Sequence, residues 1–317
     1  MKYILYVALF INLIYAQDIK PFLKIDTNFV VKDLALGKEN EIVIGTTASE
    51  VQIYNYKDKN FTKIIKIPKI KDFMGDTINA SISCVDYYNG KYLMLSDSGI
   101  GGYSDLRINE NNKTIDIFTE KNRYAIVEAK FIDDNNILLG FLSNEVALYN
   151  LKDKKIIYRK QLSESKFSHF ALNKKRDLAA FACESGEITV LKPLSGDIVT
   201  KLSGLNVDNI FDVDIKANIV SCAGKDRRAS WYDINTKKGD YIQGKFFVYA
   251  TALSPDGSLG AFALDEANNI YIYNLFTKSL KYKLIGQKST LNRIIYKDDN
   301  TIFSASNDNI VIMWKLK

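Results

Sequence analysis

Short runs in which apolar and polar residues alternate recur along almost the whole chain. The residues that end the clearest run of each unit are Tyr54, Leu106, Tyr149, Leu191, Tyr232, Tyr273 and Trp314. The last three intervals are 41 residues each, and the two before them are 42 and 43 residues. Alternation with a period of two predicts half-buried strands, and repeats of about 40 residues are typical of propeller blades. The pattern therefore predicts an all-β chain of seven blades.

Turn residues support this interpretation. The sixth unit reads ATALSP, then Asp256 and Gly257, then SLGAFAL, which predicts a tight hairpin turn. The last unit, TIFSASNDNIVIMWKLK, resembles the WD40 family, with Asp308 six residues before Trp314, and Asp226 holds the same place in the fifth unit. The resemblance implies that both aspartates cap the turn between the second and third strands of a blade.

The last unit stops after its third strand. The alternating segment FLKID, residues 22–26, precedes the first complete unit. If this segment pairs with the last unit, it supplies the missing outer strand and removes an open sheet edge. We therefore expect a seven-bladed WD40-like propeller closed by an N-terminal strand.

The first sixteen residues, MKYILYVALFINLIYA, combine one lysine, an apolar run and a small residue before polar QDIK. This pattern predicts a secretory signal peptide at residues 1–16, cleaved after Ala16, and a single propeller domain at 17–317. The alternative is an uncleaved anchor, which the shortness of the apolar run disfavours. We expect a periplasmic monomer, with no attachment to the membrane once the signal peptide is removed.

The net charge of +6 arises from lysines spread along the chain without a basic block. Nucleic-acid binding needs a concentrated basic face, so we expect no nucleic-acid partner. The three cysteines, Cys84, Cys183 and Cys222, lie in apolar stretches that favour buried free thiols; a bridge between Cys183 and Cys222 is the alternative.

Chemistry-bearing motifs are scarce. The one histidine, His169, lies in the strand-like segment KFSHFAL, which favours a hydrogen-bonded structural role over a functional one. A single histidine supplies no zinc cluster and no histidine-based triad. We therefore predict no catalytic residue, metal site or cofactor, and a protein that binds other proteins. The alternatives are a general periplasmic scaffold and a quinoprotein-like or ligand-binding enzyme of the channel.

The interval between Tyr54 and Leu106 is 52 residues, about ten too many. The surplus lies at residues 68–81, PKIKDFMGDTINAS, between the first and second blades. Binding function on a repeat scaffold concentrates in such insertions. Apolar anchors ringed by charges are typical of interaction hot spots. The candidate partner-binding residues of the insert are Lys71, Asp72, Phe73, Met74 and Asp76. The alternative is that Phe73 and Met74 pack into the top of the propeller.

Two further segments are expected on the same face. The loop DSGIGGYSD of the second blade contributes Asp97 and Tyr103, and the fifth blade contributes Arg227 and Arg228. Arginine is favoured at interfaces for its planar set of donors, although plain solvated charge is the alternative for this pair.

The segment KIKDFMGD at residues 69–76, together with the signal peptide, the propeller repeats and the lysine- and asparagine-rich composition, resembles the NapL family. Members of this family are accessory proteins of the periplasmic nitrate reductase. The resemblance implies a protein without a cofactor that supports maturation or activity of that enzyme. It further implies that the protein partner is a reductase subunit or its assembly factor.

Overall fold

The structure, a computed structural model, describes residues 16–316. Regular structure in this range is almost entirely β-strand, with one 3-10 turn at Glu120–Asn122. No helix within it has the length and apolar character needed to cross a membrane. The predicted signal peptide, apart from Ala16, lies outside the described residues, and its cleavage stays a prediction.

Seven antiparallel blades account for most strands, and their strands are called A to D from the channel outward. Blade 1 comprises β3 (Val31–Leu36), β4 (Glu41–Thr46), β5 (Glu50–Asn55) and β6 (Asn60–Lys66). Blade 2 comprises β9 (Ile82–Tyr88), β10 (Lys91–Asp97), β11 (Ser104–Glu110) and β12 (Lys113–Phe118). Blade 3 comprises β13 (Ile126–Phe131), β14 (Asn136–Phe141), β15 (Glu145–Asn150) and β16 (Lys155–Gln161). Blades 4 and 5 comprise β17 (Phe167–Leu172), β18 (Ala179–Cys183), β19 (Ile188–Lys192) and β20 (Asp197–Leu202); and β21 (Ile210–Lys216), β22 (Ile219–Gly224), β23 (Arg228–Asp233) and β24 (Gly239–Gln243).

Blade 6 comprises β25 (Thr251–Leu253), β26 (Leu259–Ala263), β27 (Ile270–Asn274) and β28 (Ser279–Leu284), and blade 7 contains β29 (Leu291–Asp298), β30 (Thr301–Ser306) and β31 (Ile310–Lys315). The innermost strands contact one another in the cyclic order β3, β9, β13, β17, β21, β25, β29 and back to β3. The prediction of a seven-bladed propeller is therefore confirmed.

An N-terminal strand completes the ring, as predicted. This strand, β2 (Leu23–Asp26), pairs antiparallel with β31, with Leu23 opposite Met313 and Asp26 opposite Ile310. A strand that the sequence did not indicate precedes it: β1 (Gln17–Ile19) pairs parallel with β28 and becomes a fifth strand of blade 6. The N-terminal segment thus holds the outer edges of two neighbouring blades.

The hydrophobic core is divided among the seven blade-to-blade interfaces, each with its own cluster of buried side chains. The 41-residue period follows from this arrangement, because most of the repeated residues are strand C side chains buried between blades. Trp314 is fully buried between blades 6 and 7, and its indole Nε1 donates a hydrogen bond to Ser304 Oγ at 2.8 Å.

The turn residues behave as the sequence predicts. Asp308 Oδ1 accepts a hydrogen bond from the Ile310 amide at 2.9 Å, and Asp226 Oδ1 accepts one from the Arg228 amide at 3.1 Å. Both turns join strands B and C. Gly257 adopts a left-handed φ of 76° in the turn between β25 and β26, where a side chain would be strained.

All three cysteines are buried free thiols. Cys183 lies in β18 of blade 4 and Cys222 in β22 of blade 5. The alternative of a bridge between them is therefore not realised.

Candidate functional site

The insert between blades 1 and 2 forms a small hairpin on the face that carries the B–C turns and the connections between blades. Its strands are β7 (Ile70–Lys71) and β8 (Thr77–Ile78). The Asp72 carboxylate orders the turn, since its Oδ1 accepts hydrogen bonds from the amides of Met74 and Asp76, both at 2.9 Å. Lys71 Nζ donates to the carbonyl of Gly75 at 3.0 Å. The turn therefore has a defined shape.

Phe73 and Met74 lie at the tip of this hairpin. Their side chains are 93% and 73% exposed. The alternative that they pack into the top of the propeller is therefore wrong. The backbone bonds to Asp72 hold the tip in a conformation that presents both side chains to solvent.

The base of the hairpin rests on the loop of blade 2, so these two predicted segments do meet. Gly99, with a φ of 77°, approaches so closely that a Cβ there would lie 2.1 Å from the Lys71 carbonyl oxygen. Asp97 Oδ1 accepts a hydrogen bond from the Ser81 amide at 2.7 Å. Burial raises the pKa of the Asp97 carboxyl. Tyr103 is partly buried within the same loop, beside Gly101.

Arg227 and Arg228 lie on the same face, in the B–C turn of blade 5, but on the far side of the ring from the hairpin. Arg228 is largely engaged within the propeller: its Nη1 donates to the Leu205 carbonyl at 2.6 Å, and its guanidinium stacks 4.7 Å from the ring centroid of Tyr241. Arg227 is exposed. The structure does not bring this pair together with the insert.

An aromatic cluster that the sequence analysis missed lies next to Arg227. The Phe211 and Tyr249 rings stack with centroids 5.0 Å apart, and Phe246 and Phe247 pack against each other at 5.2 Å. All four rings are partly exposed. The sequence signal is KFFVYA at residues 245–250, which places three aromatics in the connection between blades 5 and 6.

A ring of polar side chains surrounds the channel at one level. In blades 1 to 5 and 7, strand A carries a β-bulge at the same place, and the residue after the bulge belongs to this ring. In blade 6 the matching residue is an alanine. The channel ring, in blade order, is Asp33, Cys84, Glu128, His169, Asp212, Ala250 and Arg293.

Arg293 joins members of the channel ring from opposite sides. Its Nε donates to Asp33 Oδ1 at 2.7 Å, its Nη1 donates to Asp212 Oδ1 at 3.1 Å, and its Nη2 lies 3.7 Å from Glu128 Oε1. Burial alone would lower the pKa of Arg293, but the three carboxylates raise it well above its ordinary value. One guanidinium therefore links blades 1, 3, 5 and 7.

His169 fits into the same network. Arg293 Nη1 lies 2.7 Å from His169 Nε2, and because a guanidinium only donates, Nε2 is the acceptor. His169 Nδ1 lies 3.0 Å from Asp212 Oδ1 and 3.4 Å from the main-chain nitrogen of Val213. The side chain is buried and bonded on both nitrogens, in keeping with the structural role expected from the sequence.

Carboxylates near the channel also bind blades together. The innermost strands of neighbouring blades do not form a sheet with one another, so the main-chain amides on the channel side of each strand A have no strand partner there. Four carboxylates each accept a hydrogen bond from such an amide in the next blade. These bonds run from Val85 to Asp33, Phe131 to Asp86, Thr251 to Asp212 and Leu253 to Asp214, at 2.8 to 2.9 Å. The acids of the channel are therefore parts of the scaffold.

Asp33, Cys84 and Glu128 bring three ligand-type atoms within 4.8 Å of one another. Their surroundings do not suit a metal ion, because Lys130 Nζ already lies 2.6 Å from Glu128 Oε1 and Arg293 binds Asp33. Burial, followed by the charge of Glu128, raises the pKa of the Cys84 thiol well above its ordinary value. A protonated thiol is a poor metal ligand and a poor nucleophile.

Comparison with known proteins adds no family assignment: neither a protein-family model nor a curated protein matches this chain.

Proposed function

We propose that this protein is an exported, non-catalytic accessory factor that binds a protein partner through the hairpin face. The observation that carries the proposal is the exposure of Phe73 and Met74 at an ordered hairpin tip. Large apolar side chains presented in a fixed conformation favour binding, since little conformational entropy is lost when the partner docks. Met and Phe are both enriched in interface cores.

Two features of the hairpin face support the proposal. The close contact between Gly99 and the Lys71 carbonyl supports the hairpin from below. The aromatic cluster around Tyr249, with Arg227 beside it, provides a second group of side chains of the types that dominate binding energy, on the same face across the ring. A partner large enough to span the channel mouth would contact both.

We further propose that the partner is the periplasmic nitrate reductase or an assembly factor for it. The support is the resemblance of residues 69–76 to the NapL family, because this segment includes the hairpin turn with Phe73 and Met74. On this proposal the protein acts in the periplasm as a monomer without a cofactor, and the reductase carries the chemistry.

The genetic test compares a strain lacking this gene with its parent and a complemented strain. We expect reduced viologen-linked nitrate reductase activity in the periplasm, restored by complementation. Unchanged activity with a fully matured reductase would refute the assignment of this partner. Recovery of envelope-assembly proteins, and no reductase subunit, in a pull-down would then favour a general scaffold.

The structural test changes Phe73 and Met74 together to Ser. Hot-spot residues cost at least ~2 kcal/mol each on truncation, so we expect partner affinity to fall about 100-fold or more. The matched control is Phe276→Ser, because Phe276 is 75% exposed but lies in a C–D turn on the opposite face. Both variants should melt like the wild type. Normal partner binding by the double variant would show that the hairpin is not the docking site.

A further inference from the structure

A cavity of about 300 Å³ opens at the opposite end of the channel, on the face with the A–B turns. It lies next to the channel ring, with His169 and Arg293 among its lining residues. The space exists in part because Ala35 and Ala171 stand two positions after the ring residues of their strands, where blades 2 and 5 have Asp86 and Asp214. Its volume is at the lower end of the range for small-molecule sites.

The two sides of the cavity differ in chemistry. Blades 7 and 1 contribute a largely apolar wall, which includes Ile294, Ile295 and residues 34–36. Lys297 also lines this side, and its ammonium is paired with Asp298 at 3.1 Å. Blades 2 to 5 contribute a charged wall. Its basic residues are Lys130, Lys174, Arg176 and Lys216. A ligand that fills this space therefore needs an apolar side and a polar side.

Acceptor atoms of the charged wall are already occupied. Asp86 binds Arg176 at 2.7 Å as well as the Phe131 amide, and Asp214 binds Lys216 at 2.6 Å as well as the Leu253 amide. The carboxylate oxygens of Asp86 and Asp214 are thus already hydrogen-bonded within the propeller. The polar groups of this wall that remain for a ligand are hydrogen-bond donors.

The lysines supply these donors. An ammonium has three N–H groups, and Lys130 forms one ion pair, with Glu128. Lys174 is exposed at the mouth, and no hydrogen bond or ion pair involves it within residues 16–316. The mouth therefore presents an uncompensated positive charge beside an apolar wall.

We propose that this cavity binds a small organic carboxylate with an apolar body. The carboxylate faces Lys174 at the mouth, and the apolar body lies against the wall formed by blades 7 and 1. This site is independent of the hairpin face and of the partner proposed for it, and either proposal stands if the other fails.

The first experiment titrates purified protein lacking residues 1–16 with hexanoate, by calorimetry or ligand-observed NMR. Hexylamine has the same chain with the opposite charge, and acetate has the same charge without the apolar body. We expect saturable binding of hexanoate with millimolar or better affinity, and at least tenfold weaker binding of both controls. Equal binding of hexylamine, or no saturable binding of hexanoate, would overturn the proposal.

The second experiment locates the site with two adjacent lysines. Lys174→Glu reverses the charge at the mouth, and Lys175→Glu makes the same change at an exposed residue that does not line the cavity. We expect hexanoate affinity to fall about tenfold in the first variant and less than about twofold in the second. Both side chains are exposed, so both variants should fold. Equal effects would show that net charge alone acts, and would overturn the assignment to this cavity.

Discussion

Arg293 offers the sharpest test of how the ring is held together. Replacing Arg293 with Met keeps much of the apolar stem of the side chain but removes the guanidinium. Asp33, Asp212 and Glu128 then remain buried near one another without the cation that links them. His169 Nε2 also loses its donor. We expect a large loss of stability from one substitution in the channel.

The magnitude follows from the burial of the network. Breaking a buried ion pair by removing one partner typically costs about 3–5 kcal/mol, because the remaining charge is left uncompensated. Since the entropy of unfolding is about 2.1 cal/mol/K per residue, a loss of 1 kcal/mol lowers the Tm of a domain of about 300 residues by roughly 1.6 °C. Arg293→Met should therefore lower the Tm by about 5–8 °C. The Asp33 bond to the Val85 amide remains, so blade 1 keeps one link to blade 2.

The assay is urea unfolding followed by tryptophan fluorescence, with thermal melting as a second readout. Arg227→Met is the matched control, because Arg227 is exposed and outside the channel ring. The stability loss of Arg293→Lys should lie between those of Arg293→Met and Arg227→Met, since an ammonium restores the charge but not the planar set of donors. A loss below about 1 kcal/mol for Arg293→Met, equal to that of the control, would refute the view that Arg293 holds the ring together.

Three further perturbations test other parts of the structure. Deleting residues 20–27 removes β2 and leaves β31 as an open edge, so we expect lower Tm and aggregation, whereas deleting 17–19 should cost less because blade 6 keeps four strands. Burial raises the pKa of Glu128, but Lys130, His169 and Arg293 outweigh burial and hold the pKa below its ordinary value. The ionised Glu128 therefore stabilises the fold above about pH 4.3, and this stabilisation is lost as the pH falls further. The difference in unfolding free energy between wild type and Glu128→Gln should accordingly be smaller at pH 3 than at pH 7. Gly99→Ala should displace the hairpin and speed proteolysis at residues 72–76 with little change in Tm, and an unchanged cleavage rate would contradict the contact with Lys71.

The propeller was predictable because its period is set by local packing. Most of the repeated strand C residues, such as Tyr232 and Trp314, are buried between blades, so similar side chains return at the same interval. Closure by residues 22–26 followed from counting strands. The insert stood out as an interruption of the interval, and its exposure is what makes Phe73 available.

The channel ring was not predictable from alternation, because a β-bulge interrupts the alternation just before every ring residue except Ala250. Phe167 and His169 flank such a bulge, with the phenyl ring buried between blades 3 and 4 and the imidazole in the channel. The ion pairs of Arg293 join residues 81 to 260 positions apart. Neither the repeat nor the strand count, which did predict the pairing of β2 with β31, indicates which side chains meet at such separations. The parallel strand β1 was missed because three residues are too few to show a period.

The pairing of β2 with β31 sets an order of events during synthesis. Leu23 emerges among the first residues of the domain, and its partner Met313 among the last. Blade 7 therefore stays incomplete until β31 has been synthesised, and β2 remains without its partner strand until then. Strand β2 is short and carries the charged residues Lys24 and Asp26. Short, charged strand edges resist pairing with other chains, so the unpaired strand is protected from aggregation. Folding of this propeller is thus completed by a strand that is synthesised before all seven of its innermost strands.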